Sequence, residues 1–210
     1  MIIAIDGPAA SGKGTVARAL ARHYALPYLD TGLLYRAVAV SLSDNQGDSS
    51  RESDALSACD FAESLLSDSR LRSEQTGKLA SEISVFPKVR QALIKRQRDF
   101  AAQTGGAVLD GRDIGTVIVP DADVKLFITA SPEIRAKRRY DELVKNNPDL
   151  TYDIILEDIK SRDLRDSNRK EAPLKQAEDA DLLDSSLLGI DMAIERAVAL
   201  VEKQLKTVQS

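Results

Sequence analysis

The chain predicts an α/β protein with a doubly wound parallel sheet, and three observations carry that prediction. Short apolar runs recur at residues 2–6, 26–30, 107–110, 124–128 and 180–184. Between them lie stretches whose apolar residues return every three or four positions, the spacing of amphipathic helices. Strands that alternate with helices imply crossover connections and a parallel sheet. The first strand also runs straight into a glycine-rich turn, Gly7-Pro8-Ala9-Ala10-Ser11-Gly12-Lys13-Gly14-Thr15, which opens a helical pattern.

That turn is the chemical centre of the sequence. Gly7 and Gly12 let the backbone curl so that successive N–H groups point inward, making with the helix N-terminus a concave site for anionic phosphate. Lys13 adds a point charge able to follow β- and γ-phosphates, and Thr15 offers a hydroxyl. The residue after Lys13 is Gly14, where many phosphate-binding loops place the Ser or Thr that touches magnesium.

Bulk properties narrow the setting. At 210 residues the chain suits one domain with an inserted or mobile part. A net charge of −4 argues against nucleic acid as a partner. Cys59 is the single cysteine, so no internal disulfide can form and a reducing compartment fits. No apolar run reaches the length of a membrane span. The chain enters its first strand at Ile2 without a basic region or a small-residue cleavage site, and the expectation is a cytoplasmic protein. With no coiled coil or sticky edge in view, it is expected to be a monomer.

Residues 2–6 read as a buried parallel strand. Val16, Leu20 and His23 or Tyr24 mark the first helix, with His23 in its last turn. After the second strand, Thr31 is expected to cap a helix running to about Leu42, with Tyr35 and Arg36 in its first turn or so. Residues 43–54 are polar and read as a loop, followed by helices near 53–67, 73–84 and 87–103. Cys59 reads as an ordinary helix position, and the basic segment of Arg90, Arg96 and Arg98 as a solvated face. The third strand ends in Asp110, in the form that places an aspartate opposite a phosphate loop. Ser131-Pro132-Glu133 starts a helix with cap, first-turn proline and early acid, which Asn146-Asn147-Pro148 ends. A further basic helix, about 152–168, puts Arg162, Asp166 and Arg169 on one face, and Ile190, Ile194, Val198 and Val201 mark a closing helix.

Taken together, these segments resemble the bacterial cytidylate kinases, of the nucleoside monophosphate kinase group. The Gly-Lys-Gly-Thr form of the phosphate loop, Asp30-Thr31-Gly32-Leu33-Leu34-Tyr35-Arg36, and Asp110-Gly111-Arg112-Asp113-Ile114-Gly115-Thr116-Val117 carry the likeness. So do Arg162-Asp163, Arg165-Asp166, Arg169, Ala172-Pro173-Leu174 and Asp184-Ser185, in order along nearly the whole chain. The resemblance implies transfer of the γ-phosphoryl group of ATP, with Mg2+, to CMP or dCMP. It implies ATP-binding residues 7–15 and catalytic roles for Lys13, Arg112, Arg162 and Arg169. It implies CMP contacts at Thr31, Tyr35, Arg36, Ser81, Arg90, Arg112, Asp113, Arg162, Asp166 and Arg169, and leaves direct metal ligands unknown. It treats 1–210 as one domain, with a monophosphate-binding region within 31–106 and an arginine-rich lid at 141–177. One departure stands out: residues 44–70 look polar, then helical, where many members carry a small β-rich insert. Another small-molecule kinase, a nucleotide-dependent switch and an RNA-binding protein are the competing readings. The Asp-Gly-Arg-Asp segment opposes the first, the lack of an Asn-Lys-x-Asp segment the second, and the acidic net charge the third.

Overall fold

The computed structural model describes residues 1–145, 147 and 149–208. The chain divides into two compact units: Met1–Tyr28 with Gln103–Ser210, and Leu29–Ala102. Five strands, β1 (Ile2–Asp6), β2 (Tyr28–Asp30), β3 (Ala107–Gly111), β4 (Val124–Thr129) and β5 (Asp181–Asp184), form a sheet of order β2-β3-β1-β4-β5. The β1–β3, β1–β4 and β4–β5 pairs are parallel.

In the first unit β1 is central, and its apolar side chains are almost wholly buried. It packs with α1 (Lys13–His23) and α8 (Ile190–Val208) around Ile3, Ile5, Leu20, Val108, Leu126 and Val201. Register brings the functional loops together. Asp6 lies beside Gly111 on one side and Phe127 on the other. The turns after β1, β3 and β4 therefore emerge side by side at the carboxyl edge, where open α/β sheets bind ligands. Helices α6 (Pro132–Leu143) and α7 (Tyr152–Ser167) pack on each other through Ala136, Ile155 and Ile159. Ser131 caps α6 through Ile134 N, with Pro132 at its first position. Of the tripeptide expected to end α6, Asn146 and Pro148 lie outside the described residues; the helix itself closes at Leu143.

The second unit is helical: α2 (Thr31–Asp44), α3 (Glu52–Ser57), α4 (Glu74–Ile83) and α5 (Pro87–Ala101) enclose Leu34, Val38, Leu42, Leu71, Ile83 and Leu93. Asp30, not Thr31, caps α2, accepting from Gly32 N at 2.9 Å, and Thr31 is its first helical residue. The helix expected over 53–67 is broken. It stops at Ser57, and Glu63–Ser67 and Ser69–Arg72 are 3-10 turns. Asp68 caps the second of these turns, its side chain accepting from Arg70 N at 2.8 Å. Cys59 sits in the turn after α3, where its thiol donates to Ala55 O at 3.4 Å and burial pushes it up to about 11. It is a packed thiol, not a reactive one. The basic segment on α5 is not a solvated face throughout: Arg90 is buried, and Arg96 stacks over the Phe61 ring at 4.5 Å.

Candidate active site

The phosphate loop is shaped by two glycines for different reasons. A Cβ on Gly7 would stand 2.0 Å from the Ile128 carbonyl oxygen, so only glycine lets the loop pass β4. Gly12 takes φ 86, a left-handed conformation costly for other residues, and serves as the N-cap of α1. Its carbonyl accepts from Thr15 N and Val16 N, which turns the chain into the helix. Two long-range contacts fix the loop from behind. The Ser185 hydroxyl donates to Ser11 O at 2.9 Å. Arg135, buried on α6, donates to Ala9 O at 3.2 Å and grips Asp163 of α7 with both terminal nitrogens.

At the mouth of the loop, the Lys13 ammonium lies 3.7 Å from Oδ2 of Asp110, whose side chain is 2% exposed. The Tyr28 hydroxyl donates to Oδ1 of the same carboxylate at 2.8 Å. The aspartate ending β3 thus stands opposite the phosphate loop, as its place in the sequence predicts.

Beside it, Asp6 anchors the turn after β3. Its carboxylate accepts from Ile114 N and Gly115 N, both at 2.8 Å. Burial drives its pKa up to about 7 despite those two bonds, and the nearby charge of Asp113 adds to the rise. Asp113, buried itself, opens a tight π-type turn in which its carbonyl accepts from Val117 N and Ile118 N.

Three arginines converge on one carboxylate. Arg112 Nε donates to Asp166 Oδ2 at 2.8 Å. Burial alone would raise the Asp166 carboxyl, but the guanidiniums of Arg112, Arg162 and Arg169 together hold it below the usual range. Arg169 reaches this cluster from outside the helix, because α7 ends at Ser167; it does not share a helical face with Arg162 and Asp166. A folded-back loop brings it there, with Leu174 N donating to Asp166 O and Arg169 donating to Ala172 O, both at 2.8 Å.

The second unit holds the remaining predicted residues. Arg36 donates to the carbonyls of Leu71 and Ser73, at 2.7 and 3.1 Å. A Cβ at Gly77 would stand 2.6 Å from its guanidinium, so the glycine makes room for it. Ser81, buried, lies one turn beyond Gly77 on α4. Arg90 packs over the Tyr35 ring at 6.0 Å, and Thr31 is buried at the start of α2. Asp6, Tyr28, Arg135 and Gly77 escaped sequence reasoning. Asp6 did leave a signal, a carboxylate ending an apolar strand directly before the loop. The other three depend on what lies opposite them.

A parallel α/β sheet with this loop, a facing lysine–aspartate pair and clustered arginines defines a phosphate-loop nucleotide-binding protein. A family model, cytidylate kinase, matches residues 3–203. The chain belongs to the cytidylate kinase family. It is 54% identical to the cytidylate kinase of Methylocella silvestris over 96% of this chain and 94% of that protein. It is 55% identical to that of Xanthobacter autotrophicus over 96% and 97%, and 56% to that of a Methylobacterium species over the same shares. Among solved structures, a gluconokinase from Sinorhizobium meliloti shares the fold at a TM-score of 0.54 and 11% identity, over 99% of this chain and 95% of that one. An uncharacterised protein from Eubacterium ventriosum does so at 0.57 and 17%, over 96% and 98%.

Proposed function

We propose that the protein is an ATP-dependent cytidylate kinase, giving ADP and CDP or dCDP from CMP or dCMP. Membership of the family carries the reaction class. The convergence of Arg112, Arg162 and Arg169 on Asp166, in the unit that holds the phosphate loop, supports the chemistry.

In this reading an oxygen of the CMP phosphate forms a bond to the γ-phosphorus as the bond to the β–γ bridging oxygen breaks. Negative charge spreads over the γ-oxygens, and catalysis is mostly positioning and charge neutralisation. Residues 7–15 would cradle the ATP phosphates through backbone N–H groups, with Lys13 following the transferring group. Arg112, Arg162 and Arg169 would neutralise the acceptor and transferring phosphates, with Asp166 holding the three in place until substrate arrives. Arg36 would add a grip on the acceptor phosphate. Thr31, Tyr35, Ser81, Arg90 and Asp113 would bind the nucleoside, Asp113 with Ser81 and Arg90 reading the cytosine.

Kinases of this kind use ATP, normally with a divalent metal, and we assign Mg2+. The residues fit such an ion: Asp110 and the Thr15 hydroxyl are oxygen donors beside the phosphate loop. Mg2+ characteristically keeps several waters and binds through few protein oxygens plus substrate phosphates. When bound it neutralises charge on the donor phosphates.

We further assign the helical unit as the monophosphate-binding region and residues 141–177 as a lid, within one functional kinase domain. The protein is taken as a cytoplasmic monomer with no nucleic-acid partner; light scattering should return a mass near 22.9 kDa. Among the described residues, no helix is long and apolar enough to cross a membrane. The decisive experiment is a coupled assay for ADP with CMP, dCMP, UMP and AMP as acceptors. CMP and dCMP should dominate; equal or greater use of AMP or UMP would overturn the assignment.

A further inference from the structure

We propose that the Tyr28 hydroxyl stands in for the side chain that Gly14 lacks, acting through Asp110 as a positioning residue for the metal–nucleotide. This rests on the donor-site reading above. Position 14 follows the loop lysine, where a Ser or Thr hydroxyl commonly serves the cation. A Cβ placed there would meet three groups: Asp110 Oδ2 at 3.5 Å, Arg18 Nη1 at 3.6 Å and Tyr28 Oη at 3.7 Å. These are ordinary contact distances, so bulk alone does not demand the glycine. A tyrosine from β2 instead brings its hydroxyl to 3.7 Å from where a side chain at position 14 would begin.

The geometry also shows what that hydroxyl does. Asp110 is almost wholly buried, and its two oxygens face different partners: Tyr28 Oη donates to Oδ1 at 2.8 Å, and the Lys13 ammonium lies 3.7 Å from Oδ2. The phenol therefore sets the rotation of the carboxylate, keeping one oxygen turned toward the loop. It is held in turn by Arg18, whose guanidinium lies 5.9 Å from the centre of the tyrosine ring. An oxygen ligand oriented by a fixed hydrogen bond is the arrangement that tunes metal sites, and loss of such a partner weakens metal affinity by about tenfold or more.

The test is calorimetric titration of ADP, with and without Mg2+, into wild type, Tyr28→Phe, and Tyr28→Phe combined with Gly14→Ser. Phenylalanine keeps the ring under Arg18, and a melting curve checks the fold. Tyr28→Phe should weaken Mg·ADP by about tenfold, change metal-free ADP by less than about twofold, and leave KM for CMP unaltered. Gly14→Ser should recover most of the loss, because its hydroxyl reaches the same carboxylate; a merely structural tyrosine would show no such rescue. Equal loss for Mg·ADP and metal-free ADP, no loss, or a loss that Gly14→Ser leaves untouched would each overturn the proposal. A wild-type enzyme that failed to bind Mg·ADP would instead defeat the donor-site reading.

Discussion

Lys13 and Asp113 are the two side chains whose replacement says most about the chemistry. Lys13→Ala should nearly abolish turnover while far-UV circular dichroism stays native, because the lysine charge is needed most as charge builds on the transferring group. The variant leaves Asp110 buried without its ammonium neighbour, so some loss of melting temperature is expected beside the catalytic loss. In the proposed reading, Asp113 bears on base choice. Cytosine presents an amino donor at its 4-position where uracil presents a carbonyl, and a carboxylate accepts from the first and repels the second. A buried polar group left unpaired costs about 1–3 kcal/mol. Asn can turn its amide either way, so Asp113→Asn should narrow the kcat/KM ratio of CMP over UMP. An unchanged ratio would remove Asp113 from base recognition. A purely structural Asp113, pairing only with its neighbour Arg112, predicts equal damage to both substrates. Arg112 is already engaged with Asp166.

At the scale of elements, the turn after β3 and helix α7 share one carboxylate, and that sharing gathers Arg112, Arg162 and Arg169 around it. Arg162→Ala or Arg169→Ala should lower kcat on the order of a hundredfold, as removal of one charge-stabilising donor does. Binding of ATP should change far less. Steady-state kinetics at saturating ATP would show it; loss of ATP affinity alone, with kcat preserved, would contradict the role. Arg169 is held by a loop that folds back on α7. Its position therefore depends on the closure of residues 168–174 and not on helical periodicity.

Across the whole molecule, two buried carboxylates pull stability in opposite directions with pH. Asp166 sits below its ordinary value, so the folded state gains from its ionisation. That gain is present above the unfolded pKa near 3.8 and is lost as pH falls through the depressed folded value. Asp6 is raised from 3.8 to about 7. Its contribution is complete below 3.8 and disappears as pH rises through about 7, where a buried carboxylate must ionise. Melting temperatures of wild type, Asp166→Asn and Asp6→Asn from pH 3 to pH 8 would separate them. The stability advantage of wild type over Asp166→Asn should shrink on the acid side. Its advantage over Asp6→Asn should shrink between pH 5 and pH 8. A difference from Asp6→Asn that stays constant over that range would show that Asp6 does not titrate there.

The sequence alone determined the order of strands and helices in the sheet-bearing unit, the phosphate loop and the aspartate facing it. Those features are written locally: apolar runs and helical periodicity mark β1, α1 and β4, and Gly7 through Thr15 form one contiguous turn. The family was legible for the same reason, because its segments stand in order along the chain. Tertiary structure decided whatever depends on a partner distant in sequence. It joined Arg112 to Asp166, 54 residues away, and buried Arg90 where charge patterning had suggested solvent. It set Asp6 under the Asp-Gly-Arg-Asp turn and Tyr28 against Asp110, 82 residues away. Periodicity reports which side of an element is buried, but only packing chooses the groups it is buried against.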